Sequence, residues 1–130
     1  MVQVWTGRIG EGGSSEVNTT YKSADTGIGK LLAPSKQIVL GHKHYTGDKR
    51  FHAYPKVSDE AYRSRYLEGL RMNFAAHQDM FRELLERDTL TLTCYCGKHK
   101  SFCHRYILAR YVLPRCARYF GIDYIYRGER

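Results

Sequence analysis

Leu90-Thr91-Leu92-Thr93-Cys94-Tyr95-Cys96-Gly97-Lys98-His99-Lys100-Ser101-Phe102-Cys103-His104-Arg105 reads as a strand, a glycine turn and the opening of a helix. Thr91, Thr93 and Tyr95 fall on one side of the strand and Leu90, Leu92, Cys94 and Cys96 on the other, an alternation that β-branched threonines suit. Ser101 is the expected cap of a helix running through Cys103, His104, Arg105, Tyr106, Ile107, Leu108, Tyr111 and Val112, and Pro114 should kink or end it. A strand feeding a helix in this way is the unit of an α/β domain. Ligands collect at such junctions because the first helical N–H groups have no partner within the helix.

Upstream, Ser58 can cap a helix whose first turn carries Asp59 and Glu60. Tyr62, Tyr66, Leu70, Phe74, His77, Phe81 and Leu84 recur every three or four residues and mark one buried face, with His77 read as a packing residue. The segment to Arg87 is long for one helix, so a bend is expected at Gly69 or Asn73. Toward the amino terminus, Val2 to Trp5 alternates as a first strand and enters a glycine-rich loop holding Arg8, a residue placed to meet an anion. Thr19 to Tyr21 could extend a strand, Gly27 to Lys30 is a turn, and Gln37 to Gly41 is a short apolar strand candidate after Pro34. Gly41 to Pro55 reads as a solvated loop, since His42, His44 and His52 match no standard metal spacing. Cys116 is expected inside as a small hydrophobe, Ile122 to Tyr126 is the last strand, and Arg127 to Arg130 is a charged tail.

The 130 residues suit one domain, and a composition 42% hydrophobic and 26% charged suits a folded chain. A formal charge of +8 favours anionic partners. No apolar run is long enough for a bilayer, and no basic-then-hydrophobic leader opens the chain, so a cytoplasmic protein with reduced cysteines and no membrane partner is expected.

Three chemistries compete at the central stretch. Cys94, Cys96, Cys103 and His104 form a C-x-C-x6-C-H arrangement that could hold zinc, but neighbouring side chains in a helix diverge by about 100°, which makes Cys103 and His104 awkward joint ligands. No cofactor is expected, with zinc the alternative. Cys103 among His99, Lys100, His104 and Arg105 could instead be a nucleophile, with His104 as acid or base; a phosphatase loop is unsupported because no cysteine has an arginine six positions on. An anion pocket needs least: Arg105 offers a bidentate fork, Lys98 and the loop add donors, and the cysteines line the wall.

Tyr62 to Arg71, Leu90 to Cys96 and Phe102 to Ala109, with Leu32-Ala33-Pro34-Ser35, Gly121 to Glu129 and Thr6-Gly7-Arg8-Ile9-Gly10, resemble a poorly characterised family of small bacterial and bacteriophage α/β domains. Its mark is a strand ending in cysteine and a Cys-His-Arg signature opening the next helix. The resemblance implies a compact Rossmann-like three-layer domain with a mostly parallel sheet, and one cleft shared by Arg8, Ser35, Cys94, Cys96, Cys103, His104 and Arg105. The stretches Glu11 to Gly29 and His42 to Tyr54 depart from the family pattern.

The leading expectation is therefore a small phage or bacterial accessory protein that binds a phosphate-bearing small molecule or nucleic acid at the strand ends. The alternatives are an enzyme acting on a nucleotide or nucleic-acid component through Cys103 or His104, and an interaction scaffold that captures a host protein through its eleven tyrosines. Monomer and homodimer are equally compatible with the chain.

Overall fold

Four strands run parallel in the order β2-β3-β1-β4, in a computed structural model that describes residues 1–21, 27–95 and 103–130. They are β1 (Val2–Arg8), β2 (Glu16–Asn18), β3 (Thr89–Cys94) and β4 (Tyr124–Glu129). Pairing of β1 with β3 sets Val4 opposite Leu90, Thr6 opposite Leu92 and Arg8 opposite Cys94. In β3 every residue after Thr89 is buried, as a central parallel strand covered on both faces requires. The helices are α1 (Ile28–Leu32), α2 (Lys36–Tyr45), α3 (Asp59–Ala76), α4 (Gln78–Leu85), α5 (His104–Ile107) and α6 (Leu113–Phe120). This is the α/β architecture expected, consistent with a Rossmann-like three-layer domain.

Val2, Val4, Leu90 and Leu92 pack with Tyr66, Leu70, Phe81, Leu84, Leu108 and Leu113 from the helices in the main core. The opposite face is covered by the chain between β1 and β2 and by the carboxyl terminus. There Ser15 Oγ lies 3.0 Å from Thr91 Oγ1, Arg130 Nε donates to the same oxygen over 2.9 Å, and the Arg130 guanidinium sits 4.4 Å from the Trp5 ring centre.

Several expectations are corrected. The run at 37–41 is helical: Ser35 Oγ accepts from Ile38 N and caps α2, while Leu40 and Gly41 turn inward. A short apolar run fits a buried helix turn as well as a strand, and the cap decides it. Gly41 allows the neighbouring segment to approach, since a Cβ there would lie 2.4 Å from Pro55 O. His42 and His44 belong to α2 rather than to a loop. His42 Nε2 meets Asp59 Oδ1 at 2.7 Å, His44 Nδ1 meets Tyr54 O at 2.8 Å and His52 Nδ1 meets Lys49 O at 3.1 Å, so each serves a separate structural contact.

Ser58 caps α3 through the Ala61 N–H as expected, but the long helix breaks at His77 rather than at Gly69 or Asn73. His77 has φ −136° and ψ 43°, ends α3 and precedes α4. It is exposed, not packed. On either side of the break, Tyr62, Tyr66 and Leu70 on α3 and Phe81, Leu84 and Leu85 on α4 are buried in the main core. Pro114 does not end its helix: a π-helical turn at Leu108–Val112 precedes it, and the helical path continues to Phe120. The wider turn accommodates the missing proline N–H. Among the described residues no helix is long and apolar enough to cross a membrane.

Candidate functional site

All four strands end at the same edge of the sheet, and each brings something to it: β1 ends on Arg8, β2 leads into Thr19, β3 ends on Cys94 and β4 on Glu129. Crevices outside the carboxyl ends of parallel strands are the usual ligand sites of open α/β sheets. Cys103, His104 and Arg105 reach that edge from the start of α5.

Cys103 is not inside the helix. Its φ of −140° and ψ of 140° are extended, and α5 begins one residue later at His104. The expected divergence of Cys103 and His104 therefore does not apply, and the two side chains converge, with Cys103 Sγ 4.0 Å from His104 Nδ1. Cys94 Sγ and Cys103 Sγ lie 3.0 Å apart, both almost fully buried and not joined in a disulfide. One ligand atom each from Cys94, Cys103 and His104 lie within 4.8 Å of one another, so three of the four zinc candidates do come together. Cys96 and Lys98 fall outside the described residues, as do Ser101 and the glycine turn.

His104 is held firmly. Its Nε2 is 2.9 Å from the Thr19 carbonyl oxygen, which can only accept, so the ring proton is assigned to Nε2. Thr19 Oγ1, also 2.9 Å from Nε2, donates its own hydrogen bond to Thr93 O over 2.8 Å. The ring packs edge-on against Tyr66, 5.9 Å between centres. In this tautomer the remaining lone pair, on Nδ1, is on the side of Cys103.

Arg105 is the largest fully buried side chain in the described structure. Nη1 donates to Cys94 Sγ over 2.8 Å and to Cys103 Sγ over 3.4 Å. Nε and Nη2 form a fork on Glu129 at 3.2 and 3.1 Å, and Nη2 also donates to Tyr106 Oη over 3.0 Å. Tyr106 Oη in turn donates to Glu129 Oε2. Burial opposes the arginine's charge, yet the Glu129 hydrogen bonds and the two sulfurs outweigh it and raise its pKa above the ordinary value. Burial, then Glu129, pushes the Tyr106 hydroxyl up to about 12. The fork that sequence reasoning aimed at a phosphate is thus directed into the protein, at a carboxylate and two thiols.

Glu129 escaped the sequence reading because it was placed in a charged tail. The strand instead runs on to it, through an irregularity. The register of β4 on β1 shifts after Tyr126, so that Trp5 pairs with Gly128 and Thr6 with Glu129. Gly128 has φ +106°, a conformation that side-chain-bearing residues rarely adopt. The extra residue reverses the alternation and turns Glu129 to the side of Tyr124 and Tyr126, toward α5. Gly128→Ala is accordingly expected to destabilise by about 1–3 kcal/mol, although space for the methyl exists, because nothing lies within 4 Å of a Cβ there. Urea denaturation would measure it, and an unchanged midpoint would mean that the bulge is not needed.

Outside this cluster lies a groove of about 880 Å³, bounded by α3 on one side and by α5, the π turn and α6 on the other. Cys103 and Tyr106 form part of its wall, and Arg63, Arg71, Arg110 and Arg115 surround it. The Arg110 guanidinium lies 4.9 Å from the Tyr106 ring centre. None of the four arginines was singled out from the sequence, yet Arg63, Leu67 and Arg71 share an α3 face by their four-residue spacing, and that pattern was there to be read.

Arg8 stands beside Cys94 in the strand register, but its side chain is exposed. Ser35 belongs to a second hollow, of about 690 Å³, with Lys30, Lys36 and Arg65. The one shared cleft is therefore divided: Cys94, Cys103, His104 and Arg105 are gathered, Arg8 flanks them, and Ser35 lies elsewhere. Cys116, in the groove wall and mostly buried, has its thiol pushed up to about 11 by burial.

No curated protein and no solved structure matches the chain. A family model does match, that of DUF488-N3a, described as the active DUF488-N3 subclade, over residues 15–115, a span that takes in β2, β3, all of α1 to α5 and the Cys-His-Arg sequence. The chain thus belongs to the DUF488-N3a family, a poorly characterised domain family.

Proposed function

We propose that this chain, as an accessory protein of a bacterium or phage acting in the cytoplasm, binds a phosphate-bearing ligand, a nucleotide or a segment of nucleic acid, in the groove between α3 and α6. The observation that carries this reading is the ring of Arg63, Arg71, Arg110 and Arg115 around one concavity with Phe74, Tyr106, Tyr111 and Tyr119 in its wall. Guanidinium groups suit phosphate oxygens and aromatic faces suit bases. A volume of about 880 Å³ is in the range of small-molecule sites. The formal charge of +8 adds a general attraction for anions.

The assignment moves the phosphate contacts from Arg105 to the exposed arginines of the groove. Arg105 keeps the thiols and Glu129 in order behind it. The test is fluorescence anisotropy with a fluorescent nucleoside triphosphate and with a labelled single-stranded oligonucleotide, across a salt series. Arg63→Ala and Arg115→Ala should each weaken binding roughly tenfold, the scale of one charge-assisted contact. If the ligand is nucleic acid, each should also flatten the salt slope by about one. Failure of both probes to bind at physiological salt, or equal affinity in wild type and variants, would sink the reading.

A second reading, an enzyme acting on that ligand, is favoured by one specific observation. Cys103 belongs both to the groove wall and to the thiol cluster, so a bound ligand would lie against one of the two thiols that accept from Arg105. Turnover of the bound nucleotide or oligonucleotide that Cys103→Ser abolishes, with binding retained, would establish the enzyme; binding without turnover would leave the first reading standing alone.

A further inference from the structure

We infer that Cys94 and Cys103 are a redox-active dithiol that exchanges with small anionic disulfides, because their sulfurs lie 3.0 Å apart and share one arginine donor, and Cys103 borders an arginine-lined groove. A disulfide requires the sulfurs at about 2.05 Å, so closure needs roughly 1 Å of travel from their present separation. Cys94 closes β3 and Cys103 precedes α5, so both are carried by elements packed into the domain, and the pair is set before any oxidant arrives.

The two sulfurs are not equivalent. Cys103 forms part of the groove wall, whereas Cys94 lies behind it and is not among the residues that bound the groove. Cys103 is therefore the attacking thiol and Cys94 the resolving one. The Cys103 thiolate attacks one sulfur of the small disulfide, the S–S bond breaks, and the first small thiolate leaves. The Cys94 thiolate then attacks Cys103 Sγ in the mixed disulfide, forms the Cys94–Cys103 bond and expels the second small thiolate. The two protons given up by the cysteines end on the two released thiols, and the two electrons lost by the pair reduce the incoming disulfide. Arg105 Nη1, within reach of both sulfurs, supports negative charge as it passes from one to the other. The groove arginines favour a substrate disulfide that carries carboxylates.

The same geometry weighs against zinc. A dication held by Cys94, Cys103 and His104 would be set against the buried Arg105 guanidinium, which already approaches both sulfurs. A disulfide needs no such charge to be accommodated. The proposal is independent of the phosphate-ligand reading, since exchange is assayed with no nucleotide or nucleic acid present.

The experiment uses the whole reduced chain in glutathione buffers of graded oxidised-to-reduced ratio, quenched with acid, alkylated and followed by intact mass and peptide mapping. In the oxidising buffers the protein should lose two hydrogens, gain a Cys94–Cys103 link, and return to the dithiol with excess reduced thiol. Peptide mapping of the oxidised wild type should find Cys96 and Cys116 unlinked, and Cys94→Ser should stop at a glutathione adduct on Cys103. Under limiting alkylating reagent at neutral pH, Cys103 should react roughly tenfold or more faster than Cys116. The inference is overturned if both thiols stay reduced in the most oxidising buffer, if the link formed joins Cys96 instead, or if the purified protein carries one zinc whose removal is needed before either thiol reacts. Because wild-type peptide mapping alone decides the linkage, a variant that fails to fold does not protect the proposal.

Discussion

Glu129→Ala is expected to lower stability by about 3 kcal/mol, measured as the shift of the urea unfolding transition. Removing one member of a buried pair strands the other charge, and such losses run to about 3–5 kcal/mol. The low end applies because 22% of the Glu129 side chain meets solvent, whereas Arg105 has none. The loss would spread beyond the pair, since Tyr106 Oη donates to the same carboxylate and Arg105 Nη1 holds both thiols. Glu129→Gln keeps an acceptor but removes the charge, and should fall between wild type and alanine. The decisive comparison is the double variant Arg105→Met with Glu129→Leu. If the penalty comes from an orphaned buried charge, replacing both partners with apolar groups should recover most of it. A double variant as unstable as Glu129→Ala would instead assign the loss to packing.

How far this cluster could be read beforehand depends on which residue is asked. Cys94, Cys103, His104 and Arg105 were legible because they sit around one junction, and a strand followed by a helix brings its joining ends together whatever the rest of the chain does. Glu129 was not, because its approach depends on a register shift at Gly128, and strand register is set by pairing rather than by local sequence. At Arg105 the structure shows Glu129 against the guanidinium, a partner that the local sequence does not announce. An arginine near a helix start looks the same in sequence whether it faces solvent or a carboxylate brought in by the last strand.

The fold follows the same division. β1, α3 and β3 show in alternation or helical spacing, while α2 reads as a strand because Ile38-Val39-Leu40 is too short to show a period. Spacing alone puts His77 on the packed stripe, and spacing cannot announce that the backbone changes direction there. The π turn before Pro114 illustrates the converse: the proline is plain in the sequence, while the irregular turn that precedes it, Leu108–Val112, is not.

Phe81→Ala is expected to cost about 3–5 kcal/mol, the range for emptying a buried aromatic site. Phe81 has no exposed surface and meets Phe74 edge-on at 5.3 Å. Its helix, α4, has only eight residues, so its stability comes from what Phe81, Leu84 and Leu85 bury rather than from helical propensity. Phe74 in turn contacts Tyr119 at 5.5 Å and Phe120 at 5.6 Å, and forms part of the groove wall. A cavity behind Phe74 should therefore loosen the groove while leaving the thiol cluster, which is anchored on β3 and α5, in place. Measured together, the Phe81→Ala variant should unfold at lower urea, bind the nucleotide or oligonucleotide probe more weakly, and still form the Cys94–Cys103 link at the wild-type glutathione ratio. Loss of the link together with binding would mean that groove and thiols form one cooperative unit; loss of neither, despite lower stability, would mean that Phe74 holds the wall without support from α4.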